Sequence, residues 1–320
     1  MEMIRMMIKL EPITLTDKQL YDTFIKDSQY PTNCWSGNFT YIWAHNFSKS
    51  LKIYKTFING FLVTFIITNK GRMYLPTLPF GPGNLEELIE CLRIASLACL
   101  EQNKKAGITN KAVINPLNET QLNYLKQSPL FTTYFQDSKF TGLERHYSIN
   151  KLLRLKGKEF QQIRNKLNRF KKKYPQAIIR KYTDKDFHQV SELNQIWIKE
   201  SGKKYKRIID GFYFEPIIKN YANLNHHIIV IEIDQKIVGL ISGEVLPNKN
   251  AWGCLTKFDK NYDGISETLT IEFVKHLHQS YPYINTINVG SDLGDKGLAF
   301  NKERYRPVYS YKRYCLYYKQ

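Results

Sequence analysis

No stretch of this 320-residue chain is apolar for long enough to cross a bilayer as a helix. The longest run, GFLVTFIIT at 60–68, is about half of the ~20 residues such a helix needs. The opening MEMIRMMIKL has one Arg, no extended apolar centre and no small-residue cleavage site, so a secretory leader is not expected. Cysteine is sparse: five residues, at 34, 91, 99, 254 and 315, with no C-x-x-C pair. That excludes the usual zinc spacings and a disulfide framework, and fits free thiols in a reducing cytosol. There is no P-loop, no H-E-x-x-H and no G-x-S-x-G. His226 and His227 open a strand, and His276 and His278 stand two apart on a helix, so neither pair converges on a metal. The expectation is a soluble, cytoplasmic protein without a metal site.

Acidic residues are also scarce, 29 against 47 Lys and Arg, for a net charge of +18. Half of that excess falls in residues 151–200. A concentrated basic stretch points to an anionic partner more than to general solubility. Its centre is KLLRLKGKEFQQIRNKLNRFKKKYP (151–175). Phe160, Ile163, Leu167, Phe170 and Tyr174 recur at helical spacing and predict one buried face. Arg164, Lys166, Arg169, Lys171, Lys172 and Lys173 lie mostly off that face, and Pro175 ends the helix. They fit either a solvated face or contacts to phosphates and anionic headgroups.

With 42% apolar residues the chain can build a core, and its length suits two domains. The two sides of the basic helix repeat one order of elements. The first half gives a helix at DKQLYDTFIKDS and strands at LKIYKTFI, FLVTFIIT and GRMYLPTL. It continues with the helix NLEELIECLRIASLACLEQN, strand KAVIN, helix NETQLNYLKQS and strand FTTYFQD. The second half gives helices at KDFHQVSELNQIWIKE and GFYFEPIIKNYANL, then strands HHIIVIEID, KIVGLISGEVL and NAWGCLTKFD. A helix at GISETLTIEFVKHLHQSY, strand INTINVG, short helix DKGLAFNKERY and strand VYSYKRYCLYY follow. Three strands, helix, strand, helix, strand, written twice, is the order of the GNAT acyltransferase fold. The expected architecture is therefore α/β (α+β): two tandem GNAT-like domains, 1–150 and 176–320, joined by a basic helix over 151–175.

Four segments resemble the C-terminal domain of phosphatidylglycerol lysyltransferases and its soluble relatives, and more distantly the Fem aminoacyltransferases. They are SGNFTYIWAHNF, the linker motif at Gly157, Lys158, Arg164, Asn165, Asn168 and Phe170, the segment at Lys257, Asp259, Gly264, Glu272 and Phe273, and INVGSDLGDKGLAFNKERYRP. The last matches at Asn288, Asp292, Leu293, Gly294, Gly297, Leu298, Lys302, Tyr305 and Pro307. The resemblance implies transfer of an aminoacyl group from charged tRNA, with no resident cofactor, to a lipid headgroup, a cell-wall precursor, a peptide or a small amine. Thr256 and Gly290 stand where the family carries Glu, so no role for those glutamates carries over.

An aminoacyl ester is already activated. Its transfer needs a positioned nucleophile, a route for one proton and donors for the oxyanion. Lys257 and Asp259, two apart on one strand, are expected on one face. Lys257 would stabilise anionic charge and Asp259 the substrate ammonium, unless they form a surface ion pair. Asp292, at the end of the next strand, is a second ammonium ligand or proton acceptor, or else the N-cap of the following helix. Gly264, Gly294 and Gly297 permit close backbone approach or a turn. Lys302, Arg304 and Arg306 form a phosphate-binding cluster, and Lys203 and Lys204 another. Tyr305 and Tyr205 would stack on bases of the tRNA acceptor end, while Arg164, Arg169 and Lys171 hold its backbone. An acyl-CoA or carrier-thioester N-acyltransferase is the alternative. It is disfavoured because NYDGISET and PFGPGNLEE place acids or a proline where pyrophosphate needs free N–H groups. A non-catalytic module binding nucleic acid or an anionic membrane is the third reading.

Overall fold

Residues 8–201 and 211–319 are described by a computed structural model. The chain forms two compact units: one runs to Leu143 and takes back the chain from Tyr311, and the other spans Glu144–Ser310.

The first unit begins with β1 (Glu11–Pro12), α1 (Lys18–Asp27) and α2 (Phe39–Ala44). Next come β2 (Leu51–Ile58), β3 (Phe61–Thr68) and β4 (Met73–Tyr74), which with β1 form an antiparallel sheet in sequential order. β2 and β3 pair over their whole lengths, from Leu51↔Thr68 to Ile58↔Phe61, as their apolar runs predict. α3 (Leu85–Lys105) starts at a capping box, Asn84 with Glu87. β5 (Ile114–Asn118) and α4 (Glu119–Leu125) follow. The strand expected at FTTYFQD starts instead as α5 (Pro129–Tyr134): Ser128 caps it by accepting from the Leu130 N–H at 3.2 Å, and Pro129 sits at N1. A Ser-Pro pair is a helix start that outweighs the strand propensity of the aromatic and β-branched residues behind it. The strand proper, β6 (Phe135–Ser148), runs 14 residues and leaves the first unit.

The second unit continues with α6 (Ile149–Arg154), α7 (Gln161–Lys173), β7 (Ile178–Lys181), α8 (Phe187–Ser201) and α9 (Phe214–Lys219). Then come β8 (His227–Ile233), β9 (Lys236–Val245), β10 (Ala251–Phe258), α10 (Ile265–Ser280), β11 (Thr286–Ser291) and α11 (Lys296–Glu303). β12 (Tyr309–Tyr318) carries the chain back to the first unit. The strands lie in the order β6-β11-β10-β9-β8-β7. All neighbours are antiparallel except β10 and β11, which are parallel and pair only at Ala251↔Ile287 and Trp252↔Asn288. Beyond those two positions they separate.

α7, expected as a linker, belongs to the second unit. Its Ile163 and Phe170 are buried in one cluster with Ile265, Leu269, Phe273 and Leu277 of α10 and Val238 and Ile241 of β9. The 3-4 spacing that predicted a buried face is therefore satisfied inside a domain core. Among the described residues no helix is long and apolar enough to cross a membrane.

Candidate functional site

Cross-strand partners share a face of a sheet, and this rule locates the site. Four register partners line up across four strands: Glu244 of β9, Trp252 of β10, Asn288 of β11 and His146 of β6. All four are buried. The opposite face packs on α10: a side chain at Gly239 would meet Ile265 and Leu269, and one at Gly243 would meet Phe273. Glu244, one residue on, therefore points to the α8 side. Ser242 and Leu240 share that face by alternation, and Leu240 pairs with Lys257.

Lys257 is fully buried, and its ammonium lies 3.3 Å from the centroid of the Trp197 ring on α8. Burying an ammonium costs several kcal/mol. A desolvated cation–π contact returns about 2 kcal/mol of that. The carboxylate of Glu144, with no exposed surface, accepts from Asn288 Nδ2 at 2.6 Å and lies 3.1 Å from His146 Nε2. Asn288 Oδ1 accepts from the Gly290 N–H at 2.8 Å. His226 Nε2 meets Ser242 Oγ at 3.0 Å. One sheet face thus carries two carboxylates, two imidazoles, an amide, a hydroxyl and an ammonium, where hydrocarbon would be the default.

Of the residues given a catalytic or binding role from the sequence, only Lys257 stands on this face, together with Asn288, which was matched as part of a motif. Asp259 lies past the last residue of β10, where strand alternation no longer holds. Its Oδ1 accepts from the Asn261 N–H at 2.9 Å. It lines a separate cleft of about 370 Å³ with Gln189, Glu192, Ile196 and Ile237. Asp292 is buried and ion-paired with Arg145, whose Nε and Nη2 lie 3.2 and 3.0 Å from Oδ2. Arg145 alternates with Glu144 and His146, so this pair belongs to the other face. The N-cap of α11 is Asp295, not Asp292. Gly294 takes a φ of +74° in the turn before α11, and Gly264, at +87°, caps α10. Gly297 sits in the first turn of α11, where a side chain would meet only Asp295.

The phosphate cluster expected at 302–306 is turned toward the protein. Lys302 donates to the carbonyls of Val289 and Ser291, at the end of β11 that β10 has left. Arg304 pairs with Glu267, and Arg306 donates to the Glu159 carbonyl at 3.3 Å. Tyr305 is buried and stacked on Tyr147 with ring centroids 5.3 Å apart, so it cannot receive a base, and burial pushes its phenol up to about 12. On α7, Arg164 donates to the carbonyls of Leu155 and Gly157, two positive-φ residues of the preceding turn. Arg169 and Lys166 hold Asp263. Lys171, Lys172 and Lys173 are exposed. Lys203, Lys204 and Tyr205 lie outside the described residues.

Glu144, His146, Glu244 and Trp197 were not found from the sequence. The signal was the alternation in LERHYS, hidden because the strand there was expected to end near residue 137. His227 and His276 do meet, Nδ1 to Nε2 at 3.2 Å, and His227 Nε2 lies 3.1 Å from the Tyr281 hydroxyl. Among the described residues no group of three or more His, Cys, Asp or Glu is placed to hold a metal ion.

A conserved protein of unknown function from Bacteroides thetaiotaomicron has a similar structure, with a TM-score of 0.80 at 23% identity, covering 98% of this chain and all of that one. L-PGS from Bacillus licheniformis matches at a TM-score of 0.65 and 15% identity, over 94% of this chain and 91% of its own. FemX matches at 0.65 and 11%, over 96% of each chain. At these identities the likeness is one of fold, and it bears out the tandem GNAT-like architecture. A comparison with curated proteins gives no match. The family described as "Phosphatidylglycerol lysyltransferase, C-terminal" matches residues 120–317. That span holds every strand of the polar face, and the chain belongs to this family.

Proposed function

We propose that this chain is an aminoacyltransferase that takes its aminoacyl group from the ester of a charged tRNA and passes it to an amine or hydroxyl, on the polar face of the second unit. The supporting observation is Lys257. Its buried ammonium stands on the strand that parts from β11, on the same face as Glu144, His146, Asn288 and Glu244. A fixed cation in a water-poor setting suits an oxyanion that forms at the ester carbonyl and vanishes when the leaving ribose oxygen departs. Buried carboxylates on the same face suit an ammonium of the aminoacyl group. Family membership supports the donor class.

The start of α10 argues against a CoA donor. Pyrophosphate needs open N–H groups at a helix N-terminus. Here a side chain at the cap residue Gly264 would come within 2.4 Å of the Lys166 carbonyl, so α7 lies directly against this end. Asp263 stands before it and is paired with Lys166 and Arg169.

The test is transfer of a labelled amino acid from bulk charged tRNA to a pool of lipid, peptide and amine acceptors. Lys257→Met is expected to lower the rate about 10²–10³-fold, the usual effect of losing one oxyanion donor. The methionine keeps most of the side-chain volume, and melts of variant and parent separate a lost fold from a lost ammonium. An undiminished rate would remove Lys257 from the mechanism. Transfer from acetyl-CoA but from no charged tRNA would overturn the donor class.

A further inference from the structure

We infer that His146 is the group that takes the proton from the attacking amine or hydroxyl, with Glu144 and Asn288 as its positioning residues; the inference rests on the aminoacyl-transfer reading above. The Gly290 N–H donates to Asn288 Oδ1 at 2.8 Å, which fixes the amide so that Nδ2 faces Glu144. Nδ2 then donates to Glu144 Oε1 at 2.6 Å. That oxygen is an acceptor, so His146 Nε2, 3.1 Å from it, carries the hydrogen. A neutral imidazole with its proton on Nε2 has its lone pair on Nδ1. Backbone, amide, carboxylate and imidazole thus form a relay that selects one tautomer. It has the logic of a nucleophile-activating triad, built from i and i+2 positions of β6 and the facing position of β11.

Among the described residues, the charged and titratable groups around His146 fit this assignment. Glu144 comes from its own strand, and the Tyr309 ring stands edge-on with its centroid 6.4 Å away. Asn288 faces it from β11, with Glu244 two strands beyond in the same row. Lys257 lies further along β10. Arg145 points to the opposite face, on Asp292 and Glu303.

In the step itself, the acceptor nitrogen or oxygen attacks the ester carbonyl carbon and forms the new C–N or C–O bond. Its proton passes to His146 Nδ1. Collapse breaks the bond to the ribose oxygen, which takes that proton from His146, so the imidazole ends neutral and Glu144 keeps its charge throughout.

Two measurements on the full chain decide the matter. ¹⁵N NMR of the imidazoles, needing no substrate, should show the Nε2–H tautomer at His146. In Glu144→Gln, whose amide can donate to Nε2 as well as accept from it, the single tautomer should be lost. An Nδ1–H tautomer would overturn the inference. In the transfer assay His146→Gln should lower kcat about 10²–10⁴-fold, with KM for charged tRNA unchanged. Glu144→Gln should lower kcat in the same assay, again with KM unchanged. Full activity of His146→Gln beside an active parent overturns this inference alone. An inactive parent overturns the aminoacyl-transfer reading, and the proton-transfer role with it.

Discussion

Gly264 and Gly297 both belong to motifs that resemble the same family, yet the structure asks different things of them. Gly264 holds φ at +87°, and a Cβ there would lie 2.4 Å from the Lys166 carbonyl and 3.0 Å from Phe170 Cβ. Backbone cannot yield as a flexible side chain can. Gly264→Ala should therefore cost the left-handed penalty of about 1–2 kcal/mol plus the displacement of α7. In a unit of this size the melting temperature should fall by about 5 °C or more. Gly297 has no positive φ, and the nearest atom to its Cβ is Asp295 Oδ1 at 3.3 Å. Gly297→Ala should stay within about 0.5 kcal/mol of the parent. Calorimetric melts of the two variants would separate a glycine required by packing from one that is not. Equal losses would show that α7 does not press on the start of α10.

At the scale of elements, the clearest patterns were local ones. β2 and β3 appear where alternation and apolar runs placed them, and α7 where its 3-4 spacing placed it. What the sequence hid depended on partners far along the chain. The row from Glu244 to His146 exists only because β6 pairs with β11, over 130 residues away in the sequence. The charged residues of 302–306 resemble a phosphate site until Glu267, Glu159 and the end of β11 are seen beside them. The contact between β8 and α10 is similar: nothing in the sequence marked His227 and His276 as partners. Burial, then His276 and Lys181, hold His227 down at about 4, and burial and Lys181 lower His276. The folded state thus declines protons that the unfolded chain accepts near 6.5. Their contribution to stability is complete above that value and is lost as pH falls toward about 4. Buried His45 acts in the same direction. Asp263, held at about 2 by Lys166 and Arg169, releases its contribution only below about 4. Melts between pH 7 and 4.5 therefore sample the histidines, and His227→Gln/His276→Gln should show a smaller loss over that range than the parent. An identical slope would remove the pair from the acid response.

For the whole molecule, a net charge of +18 predicts that the tRNA binding proposed above would weaken steeply with salt. Charge alone does not say which cations touch phosphate, and the structure divides them. Arg164 closes the turn before α7 and Arg169 holds Asp263, whereas Lys171, Lys172 and Lys173 project from the end of the same helix into solvent. Counterion release ties the slope of log K against log salt to the number of phosphates neutralised, at about 0.7–0.9 for each. Replacing the three exposed lysines with alanine should therefore reduce the slope by about 2 and leave the melting temperature unchanged. Arg164→Ala should do the reverse: the carbonyls of Leu155 and Gly157 lose their donor, stability falls, and the slope stays with the parent. Titrations of tRNA at four salt concentrations, beside melts of the same samples, would read both quantities. A slope unmoved by the triple substitution would place the tRNA backbone away from the end of α7, and the basic run would then be a solvated helix face.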